Sequence, residues 1–92
     1  MNFQHEDNRI FLLNEDGKEI AEVTFPSLKD DVVNINHTFV DPSLRGQGVA
    51  TKLMMELAKK LRAENKKALI SCPYAVQWFD RHEEYKDVVY RS

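Results

Sequence analysis

The chain has 92 residues, 42% of them hydrophobic, which supplies one modest core and one expected domain spanning residues 1–92. A net charge of −2 excludes nucleic acid as the main partner, because neutralising phosphates needs a clear basic excess. A single cysteine, Cys72, excludes an internal disulfide, the polar opening Gln4 to Arg9 excludes a signal peptide, and no apolar run approaches the ~20 residues of a membrane span, so a cytoplasmic, monomeric protein without a membrane partner is expected.

Residues 1–8 read as a loose or edge segment. Arg9–Asn14 is a short apolar run, Glu15-Asp16-Gly17 marks a turn, and Glu19–Phe25 alternates apolar and polar residues. Asp-Gly between two such runs predicts a hairpin. Pro26–Asp31 holds Pro, Ser and three charges without a period, and reads as a loop. Val32–Val40 is strongly β-prone. Unbroken alternation puts Ile35, His37 and Phe39 on one face and Asn34, Asn36 and Thr38 on the other.

From Gly48 to about Glu64 the period changes. Val49, Leu53, Leu57 and Leu61 are four apart with Ala50, Met54 and Ala58 beside them, which predicts one apolar helix face. Lys59, Lys60 and Arg62 complement the helix C-terminus, and Asn65 marks its stop. Lys67–Cys72 reads as a short buried strand centred on Ala68, Leu69 and Ile70. Pro73 turns the chain into a second, shorter helix around Tyr74–His82. Tyr85, Val88, Val89 and Tyr90 are expected to dock the last segment on the body.

The expected fold is α/β with a mixed sheet and the order β-β-β-α-β-α. Its crossover helix makes the third and fourth strands parallel and the connection right-handed. Ligands of open α/β sheets bind beyond the carboxyl ends of parallel strands. The glycines after the third strand and Cys72 at the end of the fourth therefore fall in one neighbourhood.

The stretch Phe39-Val-Asp-Pro-Ser-Leu-Arg-Gly-Gln-Gly-Val-Ala-Thr-Lys-Leu53 runs from a strand through a turn and a glycine-bearing loop into a helix. That junction aims unpaired amides and the positive end of a helix dipole at one point, and Gly46 and Gly48 leave the backbone bare enough for a phosphate to approach. A P-loop fails because no Lys follows Gly48 at the required place. A dinucleotide fingerprint fails for want of a third glycine. The pattern that fits is [Arg/Gln]-x-x-Gly-x-[Gly/Ala], filled by Arg45, Gly48 and Ala50.

That pattern resembles the acetyl-CoA pyrophosphate loop of the GNAT acetyltransferase superfamily. The match covers roughly residues 32–80, and the N-terminal hairpin agrees with it. Three residue sets resemble the small single-domain members (the YjdJ-like group): Asn36-His37-Thr38, Arg45-Gly-Gln-Gly-Val-Ala50 and Ser71-Cys72-Pro73-Tyr74. The resemblance implies a minimal GNAT-like fold and acetyl-CoA-dependent transfer to an amine acceptor. The wall that larger members build around the acceptor is missing. A CoA-binding or acyl-CoA-sensing module without efficient turnover is therefore the alternative, and a protein-interaction domain that keeps only the fold is a third.

Within the resemblance, the amides of Gly46, Gln47, Gly48, Val49 and Ala50 would hold the pyrophosphate, Arg45 would add charge and the Thr51 hydroxyl would bond a phosphate oxygen. Lys52 reads less as a phosphate ligand than as a solvated charge. Backbone groups of Phe39 and Val40 would bond the pantetheine arm as another strand would. Cys72 has two readings, a small buried hydrophobe or a nucleophile placed where the thioester arrives. His37 also has two, a satisfied histidine or the base for a thiol or an ammonium. Tyr74 reads as packing first and as proton donor to departing CoA second. Trp78 and Phe79 read as core, and His5, His82 and the Glu83-Glu84 pair as solvated. No ligand spacing predicts a metal site.

Overall fold

The computed structural model describes residues 2–91, folded as two small sheets that share one long helix. Strands β1 (Gln4–Glu6), β2 (Arg9–Leu13), β3 (Glu19–Thr24) and β6 (His37–Val40) form an antiparallel sheet in the order β1-β2-β3-β6. Strands β4 (Ser27–Lys29), β5 (Val32–Ile35) and β7 (Lys67–Ile70) form the second, with β4 antiparallel and β7 parallel to β5. Helix α1 (Val49–Ala63) crosses over between β6 and β7, and α2 (Pro73–Arg81) follows β7. The chain is therefore mixed α/β, with the expected hairpin at Asn14–Lys18 closed by backbone bonds.

The predicted loop Pro26–Asp31 contains β4. All three of its residues are exposed, so no hydrophobic period marks it; backbone pairing to β5 and the left-handed turn at Asp31 (φ 60) form it instead. The predicted strand Val32–Val40 is cut in two at Asn36. The Asn36 amide bonds the Thr24 carbonyl at 3.2 Å, although Thr24 is already the register partner of His37. Two residues thus oppose one, which is a β-bulge.

The bulge reverses the alternation. Val33 and Ile35 point into the core before it; after it Val40 packs on the core while His37 and Phe39 are exposed. The expectation that Ile35, His37 and Phe39 share a face is corrected accordingly. Leu69 is also corrected, because β7 is covered on one face only: Ala68 is buried and Leu69 is 40% exposed.

Helix α1 buries Val49, Leu53, Met54, Leu57, Ala58 and Leu61, the stripe that the four-residue spacing predicts. It stops at Asn65 in the left-handed region (φ 57), where the Lys66 amide bonds the Leu61 carbonyl at 2.8 Å. The last segment docks as expected. A 3₁₀ turn at Glu83–Val88 buries Tyr85 and Val88, and the Tyr90 amide extends the edge of β7 through a 2.7 Å bond to the Ala68 carbonyl.

This layering separates two leucines of the same chemistry. Leu57→Ala removes a fully buried side chain and is expected to cost about 2–5 kcal/mol, whereas Leu69→Ala should stay within about 0.5 kcal/mol of wild type. Urea denaturation of both variants measures the difference.

Candidate active site

The Ile35 carbonyl stands at the fork between the sheets, accepting the amides of Ser71 (3.0 Å) and Cys72 (3.1 Å). Beyond that point β6 pairs only with β3, and the chain after β7 turns away into α2. A cleft opens between them, about 300 Å³, lined by Val40, Leu44, Arg45, Gly46, Gly48, Val49, Ala50, Thr51 and Tyr74.

One end of the cleft is the start of α1. Asp41 caps a short 3₁₀ turn, Pro42–Leu44, by accepting the Ser43 amide at 2.9 Å. Gly46 and Gly48 then take left-handed backbone angles (φ 80 and 71), and Gly48 is the N-cap without a side-chain bond. A β-carbon at either glycine would meet open space, so the ground beside the amides is clear. Among the described residues, no protein group accepts from the amides of Gly46, Gly48, Val49, Ala50 or Thr51. The Gln47 amide is different: it bonds the Leu44 carbonyl at 3.2 Å and is consumed inside the turn. The expected run of five cradle amides therefore lacks Gln47. The Thr51 hydroxyl accepts the Trp78 indole N–H at 3.3 Å, which leaves its own proton to donate into the cleft. Trp78 is thus core and also the brace of a site residue, a role with no signal in the sequence.

The wall of the cleft is the free edge of β6. In an antiparallel pair, backbone groups face the partner at every second residue. The Asp41 amide bonds the Ile20 carbonyl at 2.8 Å, so Phe39 also faces β3, and Thr38 and Val40 face the cleft. Of the two residues expected to offer backbone groups there, Val40 does and Phe39 does not. The bulge at Asn36 decides this phase.

Cys72, 8% exposed, is the N-cap of α2; it is outside the cleft's lining, two residues before Tyr74, which does line it. Its thiol lies 3.5 Å from the Thr38 hydroxyl. Burial pushes the thiol pKa up, but the Thr38 hydroxyl and the amides of Ala75, Tyr74 and Thr38 outweigh it, and the net shift is downward. His37 does not join this group. Its ring is 57% exposed, on the opposite face of β6, with Nε2 4.0 Å from Glu22 Oε1. The sequence brings His37 next to Thr38 in the chain, and the pleat separates their side chains. Tyr74, read first as packing, is 40% exposed and lines the cleft. His5 is exposed beside Glu56 (2.9 Å), whereas His82 is stacked on Trp78 at 3.9 Å and not simply solvated. Among the described residues no cluster of metal-binding groups occurs.

A family model described as GCN5-related N-acetyl-transferase matches residues 9–88. The chain belongs to that family. Among solved structures, a GCN5-like protein of Staphylococcus aureus, determined by NMR in solution, is similar over 99% of this chain and 89% of its own, with a TM-score of 0.82 and 27% identity. The fold is shared with Rv2747 of Mycobacterium tuberculosis, solved in complex with CoA (TM-score 0.65, 20% identity, 83% and 47% covered). It is shared too with the ribosomal-protein-S18-alanine N-acetyltransferase of Escherichia coli (0.66, 20%, 86% and 54%). The chain spans about half the length of these last two. No curated protein gives a significant match. In this GNAT domain the glycine loop lies between β6 and α1.

The thiol's surroundings can be tested directly. Thr38→Val removes the hydroxyl that favours the thiolate, so the thiol pKa should rise and the pH dependence of iodoacetamide alkylation at Cys72 should move to higher pH. An unshifted profile would place the hydroxyl's effect at zero.

Proposed function

We propose that the protein is an acetyl-CoA-dependent N-acetyltransferase that works through an acetyl-cysteine. The observation that carries this reading is a cleft lined by unpartnered amides and by Tyr74, two residues after a buried thiol whose pKa its neighbours lower.

Acetyl-CoA lies along the free edge of β6. Its diphosphate takes the amides of Gly46, Gly48, Val49 and Ala50, the Thr51 hydroxyl and the Arg45 guanidinium. Its pantetheine arm bonds the backbone of Val40. The Cys72 thiolate attacks the acetyl carbonyl, and a new C–S bond forms as the bond to the CoA sulfur breaks. The departing CoA thiolate takes a proton from Tyr74. Thioester exchange is nearly isoenergetic, which suits a thiol better than a hydroxyl. In the second half-reaction the acceptor nitrogen attacks the acetyl-cysteine, the Cys72 thiolate leaves, and the nitrogen's proton passes to water, because His37 stands on the other face of β6. The thiol is beyond His37's face, so its activation belongs to Thr38 and the start of α2.

A CoA-binding module without turnover is the second reading, favoured by the exposed outer face of the N-terminal sheet, where Leu13 and Phe39 are bare. Release of free CoA on adding an amine separates the two.

Gly48→Val puts a branched side chain into the clear space beside the amides and into left-handed backbone, so the fold should lose about 1–2 kcal/mol and CoA binding should disappear by calorimetry. Retained affinity in a folded variant refutes the cradle. Incubation with acetyl-CoA alone should leave one acetyl group on Cys72, found by intact mass and peptide mapping. Cys72→Ser should keep CoA binding and lose transfer, because a hydroxyl is a far poorer nucleophile at neutral pH. Full transfer by Cys72→Ala would replace the covalent route with direct attack.

A further inference from the structure

Two side chains on different helices meet beside the glycine-loop end of the cleft. Thr51 stands in the first turn of α1 and Trp78 in the second half of α2, and the indole N–H reaches the Thr51 hydroxyl at 3.3 Å. Thr51 lines the cleft and Trp78 does not. Trp78 therefore meets a ligand of the cleft only through Thr51.

The indole is held from turning aside. It is buried, Phe79 packs edge-on to it at 5.0 Å, and His82 stacks on it at 3.9 Å with the two planes 11° apart. His82 Nδ1 lies 2.7 Å from the Trp78 carbonyl, which keeps that stack in place. An indole nitrogen only donates, so the Thr51 oxygen is always its acceptor and the hydroxyl proton is never given to it. A threonine in a helix can give that proton to a carbonyl three or four residues back, here Gly48 or Gln47. Among the described residues, however, the side chain of Thr51 bonds only the indole. The proton is left for an acceptor in the cleft, and an ionised phosphate oxygen, which accepts and cannot donate, fits it.

We propose that Trp78 is a positioning residue that sets the donor preference of this protein: by holding Thr51 as a proton donor to the diphosphate, it favours a full CoA thioester over a pantetheine thioester of the same acyl group. The proposal rests on the reading of the glycine loop and Thr51 as the diphosphate site. Thr51 touches the phosphate, and Trp78 acts from behind it. A phosphate oxygen that draws the Thr51 proton makes the hydroxyl oxygen a better acceptor, so the bonds to ligand and to indole strengthen each other.

Trp78 is the chain's one tryptophan, so a tryptophan-auxotrophic host can replace it alone by β-(3-benzothienyl)alanine, which keeps the fused rings and carries sulfur where the N–H was. Calorimetry then compares CoA with pantetheine, which lacks the diphosphate. The replacement should weaken CoA about fivefold, the worth of one ordinary hydrogen bond, and pantetheine less than about twofold. Thr51→Val should also weaken CoA selectively, and in that background the replacement should cost nothing further, because its route to the ligand is gone. Where pantetheine binds too weakly for calorimetry, the Thr51→Val background supplies the same comparison. Thr51→Ser keeps a hydroxyl and should keep both the affinity and its dependence on the indole. A second measurement leaves the core unaltered: the single indole N–H resonance of the wild-type protein should move when CoA saturates the site and stay in place with pantetheine.

Equal losses for the two ligands, losses that multiply in the Thr51→Val background, or an indole resonance that ignores CoA overturn the proposal. If Thr51→Val weakens CoA selectively while the ring replacement does not, the diphosphate site stands and the role of Trp78 falls. If the wild-type protein binds no CoA, or Thr51→Val binds it equally well, the placing of the diphosphate at Thr51 is refuted and the proposal falls with it.

Discussion

The site depends on one misfit in a hydrogen-bond ladder. At Asn36 two residues oppose Thr24, and the strand that began beside β7 continues beside β3. A continuous strand would have kept Ile35, His37 and Phe39 on one face and closed the gap to β7. The bulge instead opens a cleft with an unpaired strand edge along one wall. The Ile35 carbonyl holds the fork by accepting two amides, so the divergence begins at a defined point. Everything proposed for the pantetheine arm and the thioester uses that edge.

Two helix N-termini converge on this gap, with different duties. The start of α1 carries no side-chain cap and leaves its amides to the cleft. The start of α2 is occupied by Cys72, whose buried sulfur would ordinarily be driven toward the neutral thiol. The Thr38 hydroxyl and the nearby amides reverse that outcome. Low exposure and a lowered thiol pKa thus coexist because the compensating dipoles include backbone amides whose position the fold fixes.

Trp78 links the two ends mechanically. Its ring packs edge-on to Phe79 at 5.0 Å and stacks with His82 and Tyr85, and its N–H holds Thr51 on the first turn of α1. A small domain with one layer of helices has few ways to fix the angle between two of them. Here a single large side chain anchored at both its face and its polar edge does so.

Much of this was legible in the chain. The four-residue spacing from Val49 to Leu61 defined α1, Asn65 defined its end, and Arg45, Gly48 and Ala50 between a strand and a helix defined the loop and pointed to the family. Those features are local, since period, capping chemistry and glycine geometry act within a few residues. What only the tertiary structure decided is which backbone and side-chain groups face the gap. β4 has no hydrophobic period and exists through pairing with β5. Thr38 rather than His37 meets Cys72, and Val40 rather than Phe39 offers its backbone, because one extra residue at Asn36 turns the pleat over. A strand's alternation is readable from sequence only while its register is unbroken, and the register is set by the neighbouring strand.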